Sequence, residues 1–216
     1  MNSLAEKRLA AEAAAALVRD GMRVGLGTGT TVAHLLAALG RRRPRATYVA
    51  SSPATESAAR AVGLAVAAFD DLDALDLAID GADQVAPDLW LVKGGGGAHT
   101  REKVIAASAE RFVVIVDSTK LVDSLRPPVP VEILAFGASA TLRRLAPATR
   151  RVAPASPDGG VLVDYRGEFD DPAALAARLS STPGVVEHGL VDPRFVTEVL
   201  VGRDGAVHHL TGRDAP

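Results

Sequence analysis

The chain reads as an α/β protein: a mostly parallel, Rossmann-like sheet with helices on both faces, plus a small inserted α+β domain of ferredoxin-like order (βαββαβ). Two patterns carry that reading. Up to residue 126, short and continuously apolar strands alternate with helical stretches, the pattern of a parallel sheet buried on both faces. The proline-rich break Arg126-Pro127-Pro128-Val129-Pro130 then changes the rhythm, and the segments after it run strand, helix, strand, strand, helix, strand.

A first helix is expected over residues 4–19. Its apolar stretch, residues 10–18, has the faint look of a secretory leader, but Glu12 interrupts it and Glu6 precedes it, so an amphipathic helix is the better reading. Strands follow near residues 22–27, 46–51, 64–69, 77–80, 89–93 and 112–117, with helices over 32–39, 53–62 and 100–110. In sheets of this kind ligands bind at the carboxyl ends of the strands. Beyond the break, strands are expected at 131–136, 150–153, 161–165 and 184–190, and helices at 139–145 and 171–179. Residues 196–201 and 207–210 flank an Asp204-Gly205 turn and read as a hairpin. Residues 1–126 with 192–216 are thus expected to form one domain, and residues 127–191 the inserted one.

Composition narrows the function. With 216 residues, 22.3 kDa and 48% hydrophobic content the chain can bury a core without staples. It has no cysteine, which removes thiol nucleophiles, disulfides and cysteine-ligated metals. A net charge of −2 and a pI near 6.2 argue against nucleic-acid binding, and the basic run from Arg41 to Arg45 reads as a solvated loop. No segment approaches the length of a membrane span, so no membrane partner and a cytoplasmic location are expected. Of 24 basic residues only Lys7, Lys93, Lys103 and Lys120 are lysine, so each marks a place where a compact ammonium is preferred to a planar fork.

Four segments carry chemistry. Gly25-Leu26-Gly27-Thr28-Gly29-Thr30-Thr31 leads from a strand into a helix, but the third glycine of a dinucleotide fingerprint is missing and no acid ends the second strand. Hydroxyls of Thr28, Thr30 and Thr31 beside free helical N–H groups suit a single phosphate instead. Asp80-Gly81-Ala82-Asp83 puts two carboxylates around a tight turn, where they either cap the turn or bind sugar hydroxyls and relay protons. Lys93-Gly94-Gly95-Gly96-Gly97 offers an ammonium and a bed of main-chain donors for an oxyanion, and Glu102 follows in the first turn of the next helix as a base. Asp117-Ser118-Thr119-Lys120 adds a second ammonium at a strand's end. His34, His99, His188, His208 and His209 lack ligand spacing with acids, so no metal is expected.

Together, Gly27-Thr28-Gly29-Thr30-Thr31, Asp80-Gly81-Ala82-Asp83, Lys93-Gly94-Gly95-Gly96 with Thr100-Arg101-Glu102-Lys103, and Asp117-Ser118-Thr119-Lys120 resemble, in order and spacing, ribose-5-phosphate isomerase of type A. The resemblance implies interconversion of D-ribose 5-phosphate and D-ribulose 5-phosphate through an enediolate, without cofactor, in a homodimer or homotetramer. It implies Glu102 as the base, Lys93 with the glycine-loop amides at the developing oxyanion, and Asp80 and Asp83 in ring opening and proton relay. Thr28, Gly29, Thr30, Thr31, Gly81, Ala82, Gly94, Gly95, Gly96 and Lys120 fall at substrate-binding positions, and Lys7 at that of a phosphate ligand. Gly97, His99 and the turn Ser156-Pro157-Asp158-Gly159-Gly160 depart from the family pattern without removing a chemical group. The alternatives are an amino-sugar-phosphate isomerase-deaminase, disfavoured by the spacing from Lys93 to Glu102, and a sugar-phosphate sensor, which would need a DNA-binding module that the single helix before the first strand leaves no room for.

Overall fold

The computed structural model describes residues 2–212; Met1 and residues 213–216, both assigned to the first domain by the sequence, lie outside the described residues. Helix α1 (Ser3–Leu17) starts at Asn2, whose side chain accepts the Leu4 N–H at 2.7 Å. It is followed by β1 (Arg23–Leu26), α2 (Thr30–Arg42), β2 (Thr47–Ala50), α3 (Pro53–Ala61), β3 (Ala65–Val66), β4 (Leu77–Asp80), β5 (Gln84–Val85), β6 (Leu91–Val92), α4 (His99–Ala107) and β7 (Phe112–Asp117). Then come β8 (Val129–Ile133), α5 (Ala138–Arg144), β9 (Ala148–Arg150), β10 (Val161–Tyr165), α6 (Pro172–Ser180), β11 (Val185–His188), β12 (Leu190–Val191), β13 (Glu198–Arg203) and β14 (Ala206–Leu210).

Among the described residues the strands form three sheets. The largest has the order β14-β13-β7-β4-β1-β2-β3, parallel throughout except for the hairpin strand β14. Its residues alternate between two cores: Val24, Leu26, Ile79 and Ile115 pack under α1 and α2, while Ala78, Val114 and Val116 pack with Ile105 and Ala106 of α4. The chain leaves β1 toward β2 on one side and returns to β4 on the other, so the strand order reverses between β1 and β4. A crevice opens at the carboxyl ends of such a pair. The second sheet, β11-β8-β10-β9, is antiparallel, and its βαββαβ order is the expected ferredoxin-like one.

The third sheet, β12-β6-β5, corrects the sequence reading. The strand expected at 89–93 is not part of the parallel sheet; it is the middle strand of a small antiparallel one. Only a hairpin joins β5 to β6, and a parallel neighbour would have needed a crossover of a dozen or more residues. The expected strand at 184–190 is divided at Gly189, whose N–H bonds Pro130 O (2.7 Å) and whose carbonyl accepts the Lys93 N–H (2.8 Å), so the chain steps there from the second sheet to the third. Pro130, read as part of a break, lies inside β8. The strand at 64–69 shortens to two residues because a 3-10 turn begins at Phe69.

Helix α1 is fixed to the sheet at a close crossing: a Cβ added at Gly202 would stand 1.9 Å from the Glu6 carbonyl oxygen. Glu6 also accepts the Ser118 N–H (3.0 Å) and hydroxyl (2.6 Å) beyond β7. Gly202→Ala must therefore push the helix off the sheet. It is expected to cost about 1–3 kcal/mol, read as a lower denaturant midpoint; an unchanged midpoint would show that α1 can shift freely.

Candidate functional site

A cleft opens beyond β1 and β4, at the carboxyl ends of the two strands. Thr28, Gly29, Thr30, Thr31 and Val32 form one wall, Gly81, Ala82 and Asp83 the floor, and Lys93, Gly94, Gly95, Gly96, Glu102 and Lys120 the remainder. The hairpin from β5 to β6 brings Asp83 and Lys93 side by side, because Gln84 pairs with Val92 and the next residues outward are these two.

Lys93 is the centre of the site. Its side chain is 4% exposed, and its Nζ lies 2.7 Å from Asp80 Oδ2 and 3.3 Å from Glu102 Oε2 while donating to Gly81 O. Burial alone would pull this ammonium down, but the carboxylates of Asp80 and Glu102 outweigh it and hold the group above its ordinary value. Glu102 has the opposite problem. Burial, and then the neighbouring Asp80 charge, push its carboxyl up to about 8 against the pull of Lys93. Glu102 is the fourth residue of α4, one place beyond the capping-box position, and its partner is Lys93 and not its own helix start.

Asp80 differs from what the sequence suggests. It does not reach the cleft wall: Oδ1 accepts the N–H groups of Gly81 (2.7 Å) and Thr28 (3.2 Å), Oδ2 faces Lys93, and the residue is 3% exposed. It faces Lys93 and the backbone and not the space that a sugar hydroxyl would enter. Gly27 makes this possible, since a Cβ there would lie 1.8 Å from the Asp80 carboxyl. Burial pushes Asp80 upward, while Lys93 and the two backbone donors pull the other way. Asp83, by contrast, stands in the cleft, with Oδ2 accepting the Gly95 N–H at 2.7 Å.

The amino end of α2 faces the same cleft. Gly29 precedes its first turn at φ 137°, and no side chain caps the helix. Its free N–H groups and positive dipole end therefore point at whatever enters. Thr28 is a partial correction: its backbone lines the cleft, but its hydroxyl is held by Ser51 (2.9 Å), Ser52 (2.8 Å) and Thr55 (3.0 Å), a cluster assembled from distant segments that sequence reading missed. Lys7 lies behind the helix end, 3.1 Å from Thr30 Oγ1 and 3.8 Å from Asp117. Lys120 lines the cleft directly.

Two neighbouring cations lie elsewhere. Lys103 turns away to Glu187 Oε1 (2.7 Å) and His188 O (2.8 Å), so the scarcity of lysine flagged a packing contact there. Arg101, which sequence left without a contact, grips Asp158 at 2.6–3.0 Å. His99 is 1% exposed, and burial pushes its imidazole down to about 4, which keeps it neutral against the glycine loop.

A buried ammonium between two carboxylates, in a cleft that an uncapped helix start also lines, is the arrangement of an enzyme that moves protons beside the carbonyl of a small phosphorylated substrate. The particular family follows from comparison. The family model for ribose 5-phosphate isomerase A (phosphoriboisomerase A) matches residues 47–205. A ribose-5-phosphate isomerase A of Nitrobacter hamburgensis is 42% identical over 219 residues, covering 92% of this chain and 94% of that protein. The solved ribose 5 phosphate isomerase A from Neisseria gonorrhoeae superposes with a TM-score of 0.93 at 29% identity, over 98% of each chain. A D-ribose-5-phosphate isomerase solved in complex with phospho-erythronic acid gives 0.91 at 34% identity, over 98% of this chain and 100% of that one. The chain belongs to the ribose 5-phosphate isomerase A family.

The raised Glu102 carboxyl links the site to stability. The folded protein holds this proton up to about pH 8, whereas the unfolded chain releases it near the ordinary value of 4.5. Between those values the folded state binds more protons, so stability falls as pH rises, and the full cost is present above pH 8. Glu102→Gln removes that cost. Its melting temperature is expected to match the parent near pH 5 and exceed it increasingly toward pH 9; a constant difference would show that the buried carboxyl is not raised.

Proposed function

We propose that the chain interconverts D-ribose 5-phosphate and D-ribulose 5-phosphate through an enediolate, with no metal or organic cofactor. The observation that carries the reading is Lys93 Nζ held 3.3 Å from Glu102 in a cleft that the uncapped start of α2 also lines. Membership of the ribose 5-phosphate isomerase A family supports the choice of substrate.

The substrate phosphate binds the N–H groups at Gly29 to Val32, with Thr30, Thr31 and Lys120 beside it and Lys7 adding charge from behind. This places the sugar carbons toward Glu102. Glu102 takes the C2 proton of the open-chain aldose as the electron pair moves onto the C1 oxygen. Lys93 and the outward N–H of Gly96 receive that charge, and the same carboxyl returns the proton to C1 while a hydroxyl proton passes from the C2 oxygen to the C1 oxygen. Asp83, exposed in the cleft, suits the hydroxyl proton and the opening of the sugar ring. Asp80 acts one layer back, by fixing Lys93 and the Thr28 backbone. An acid such as phospho-erythronic acid, bound by one relative, pairs a phosphate with a planar anionic carboxylate of enediolate shape.

We further read residues 1–126 with 192–216 as one domain and 127–191 as an inserted second one, supported by the core under β8 and β10, which residues 127–191 chiefly build and Ala86, Val92 and Leu125 join from the first domain. The family resemblance supports a homodimer or homotetramer and a cytoplasmic location; among the described residues no helix is long and apolar enough to cross a membrane.

A coupled assay of ribulose 5-phosphate formation tests the reading. Glu102→Gln is expected to lose about 10²–10⁴-fold in kcat with substrate still bound. Lys93→Arg, whose wider fork does not fit between Asp80 and Glu102, is expected to lose about 10²–10³-fold. Near-parental turnover in either variant would remove that residue from its role. The parent's kcat/KM is expected to fall as pH drops below about 8, where Glu102 takes up its proton. Turnover is also expected to survive exhaustive chelation, because Lys93 supplies the electrophile and the described residues contain no metal-holding group of acids and histidines; loss with chelator and recovery with a divalent ion would overturn this.

A further inference from the structure

We propose that Arg151 is a positioning residue for the reaction: it holds the carbonyl oxygens of the glycine loop away from the cleft and so fixes the loop's N–H groups toward the reacting oxygens. The inference rests on the isomerase reading above and deepens it. Arg151 follows β9 in the second sheet, and its side chain is 16% exposed. Its Nε and Nη2 both donate to Asp164 Oδ1, at 2.8 and 2.6 Å, which anchors the guanidinium to β10. The remaining nitrogen, Nη1, reaches Gly94 O at 2.8 Å and, more weakly, Gly95 O at 3.5 Å.

A trans peptide points its C=O and N–H to opposite sides. The Gly94 carbonyl faces Arg151, so the N–H of the same peptide, that of Gly95, faces the other way, and it donates to Asp83 in the cleft. The next peptide has its carbonyl toward Arg151 too. Its N–H, on Gly96, has no acceptor among the described residues and belongs to an exposed residue of the cleft wall. A glycine–glycine peptide has no side chain to resist rotation, so its orientation is set by its partners: the Gly97 N–H shares the Gly94 carbonyl with Arg151 (3.1 Å), whereas the Gly95 carbonyl has only Arg151 among the described residues. With Arg151 in place, a flipped peptide would lose its carbonyl's cation and turn an oxygen toward a developing negative charge. Only a fork can do this, because three nitrogens must meet a carboxylate and two carbonyls at once; lysine has one nitrogen for the task.

The test compares the parent, Arg151→Lys and Asp164→Asn, the last leaving the arginine in place but weakening its anchor. For each, kcat and KM for ribose 5-phosphate are measured, together with the Kd of phospho-erythronic acid by calorimetry and the melting temperature. Arg151→Lys is expected to lose about 10–10²-fold in kcat with KM within about 3-fold, and to bind phospho-erythronic acid weaker by a similar factor; Asp164→Asn is expected to show a smaller loss in the same direction. A merely structural role would lower the melting temperature and the active fraction but leave the Kd of the folded fraction unchanged, and that result would overturn the proposal. So would kcat within 2-fold of the parent in Arg151→Lys, or a rise in KM alone. Were Arg151→Lys not to fold, Asp164→Asn would decide by the same criteria. An inactive parent would instead refute the isomerase reading itself.

Discussion

The protonated Lys93 ammonium, buried between Asp80 and Glu102, sets the conditions that the rest of the site meets. A buried cation is tolerated only when opposite charge and hydrogen-bond acceptors surround it, and here two carboxylates and the Gly81 carbonyl do so. The same pairing has a second effect. Asp80 lies closer to Lys93 and also accepts two backbone donors, while Glu102 stands at the longer distance; burial pushes both carboxyls up, and the Asp80 charge adds to the push on Glu102. Glu102, the acid that lines the cleft, is thereby brought to take up and release a proton near neutrality, while Asp80 stays behind the wall beside Lys93.

Holding that arrangement requires a fixed helix α4, and three of its residues are tied to the second sheet and its loops. Thr100 donates to Glu132 of β8, which also accepts from Ser156; Arg101 binds Asp158; Lys103 binds Glu187 of β11. On the opposite side, Ile105 and Ala106 are packed in the core of the parallel sheet. The helix that carries Glu102 is thus clamped between the two main sheets, by apolar packing on one side and by charge-assisted hydrogen bonds on the other. His99 and the 156–160 turn both belong to the packing around α4, behind the chemistry. His99 fills its place as a neutral ring, and Ser156 fills its own as a donor.

Much of the site was legible because its parts are written as local motifs at strand ends. A strand followed by glycine and threonine before a helix marks a candidate anion site, since the free N–H groups depend on the backbone and not on distant residues. Glu102 and Lys93 could be singled out for the same reason. The separation of Asp80 from Asp83 was not legible: both are aspartates at one turn, and only the three-dimensional approach of Lys93 and of the Thr28 backbone draws one of them behind the wall. Arg151 was invisible as well, being one of many arginines, with partners 57 and 13 residues away.

By itself, then, the sequence determined the parallel sheet, the ferredoxin-like order after residue 126, the family, and the chemical groups of the site. These depend on periodicity, turn residues and short motifs, all of which act over a few neighbours. Only the tertiary structure decided that β6 leaves the main sheet to form a third one, that Lys93 lies buried between two acids, and that a guanidinium from the second sheet grips the glycine loop. Strand pairing, burial and carboxyl pKa are properties of what surrounds a residue, and that surrounding is assembled by segments dozens of residues apart.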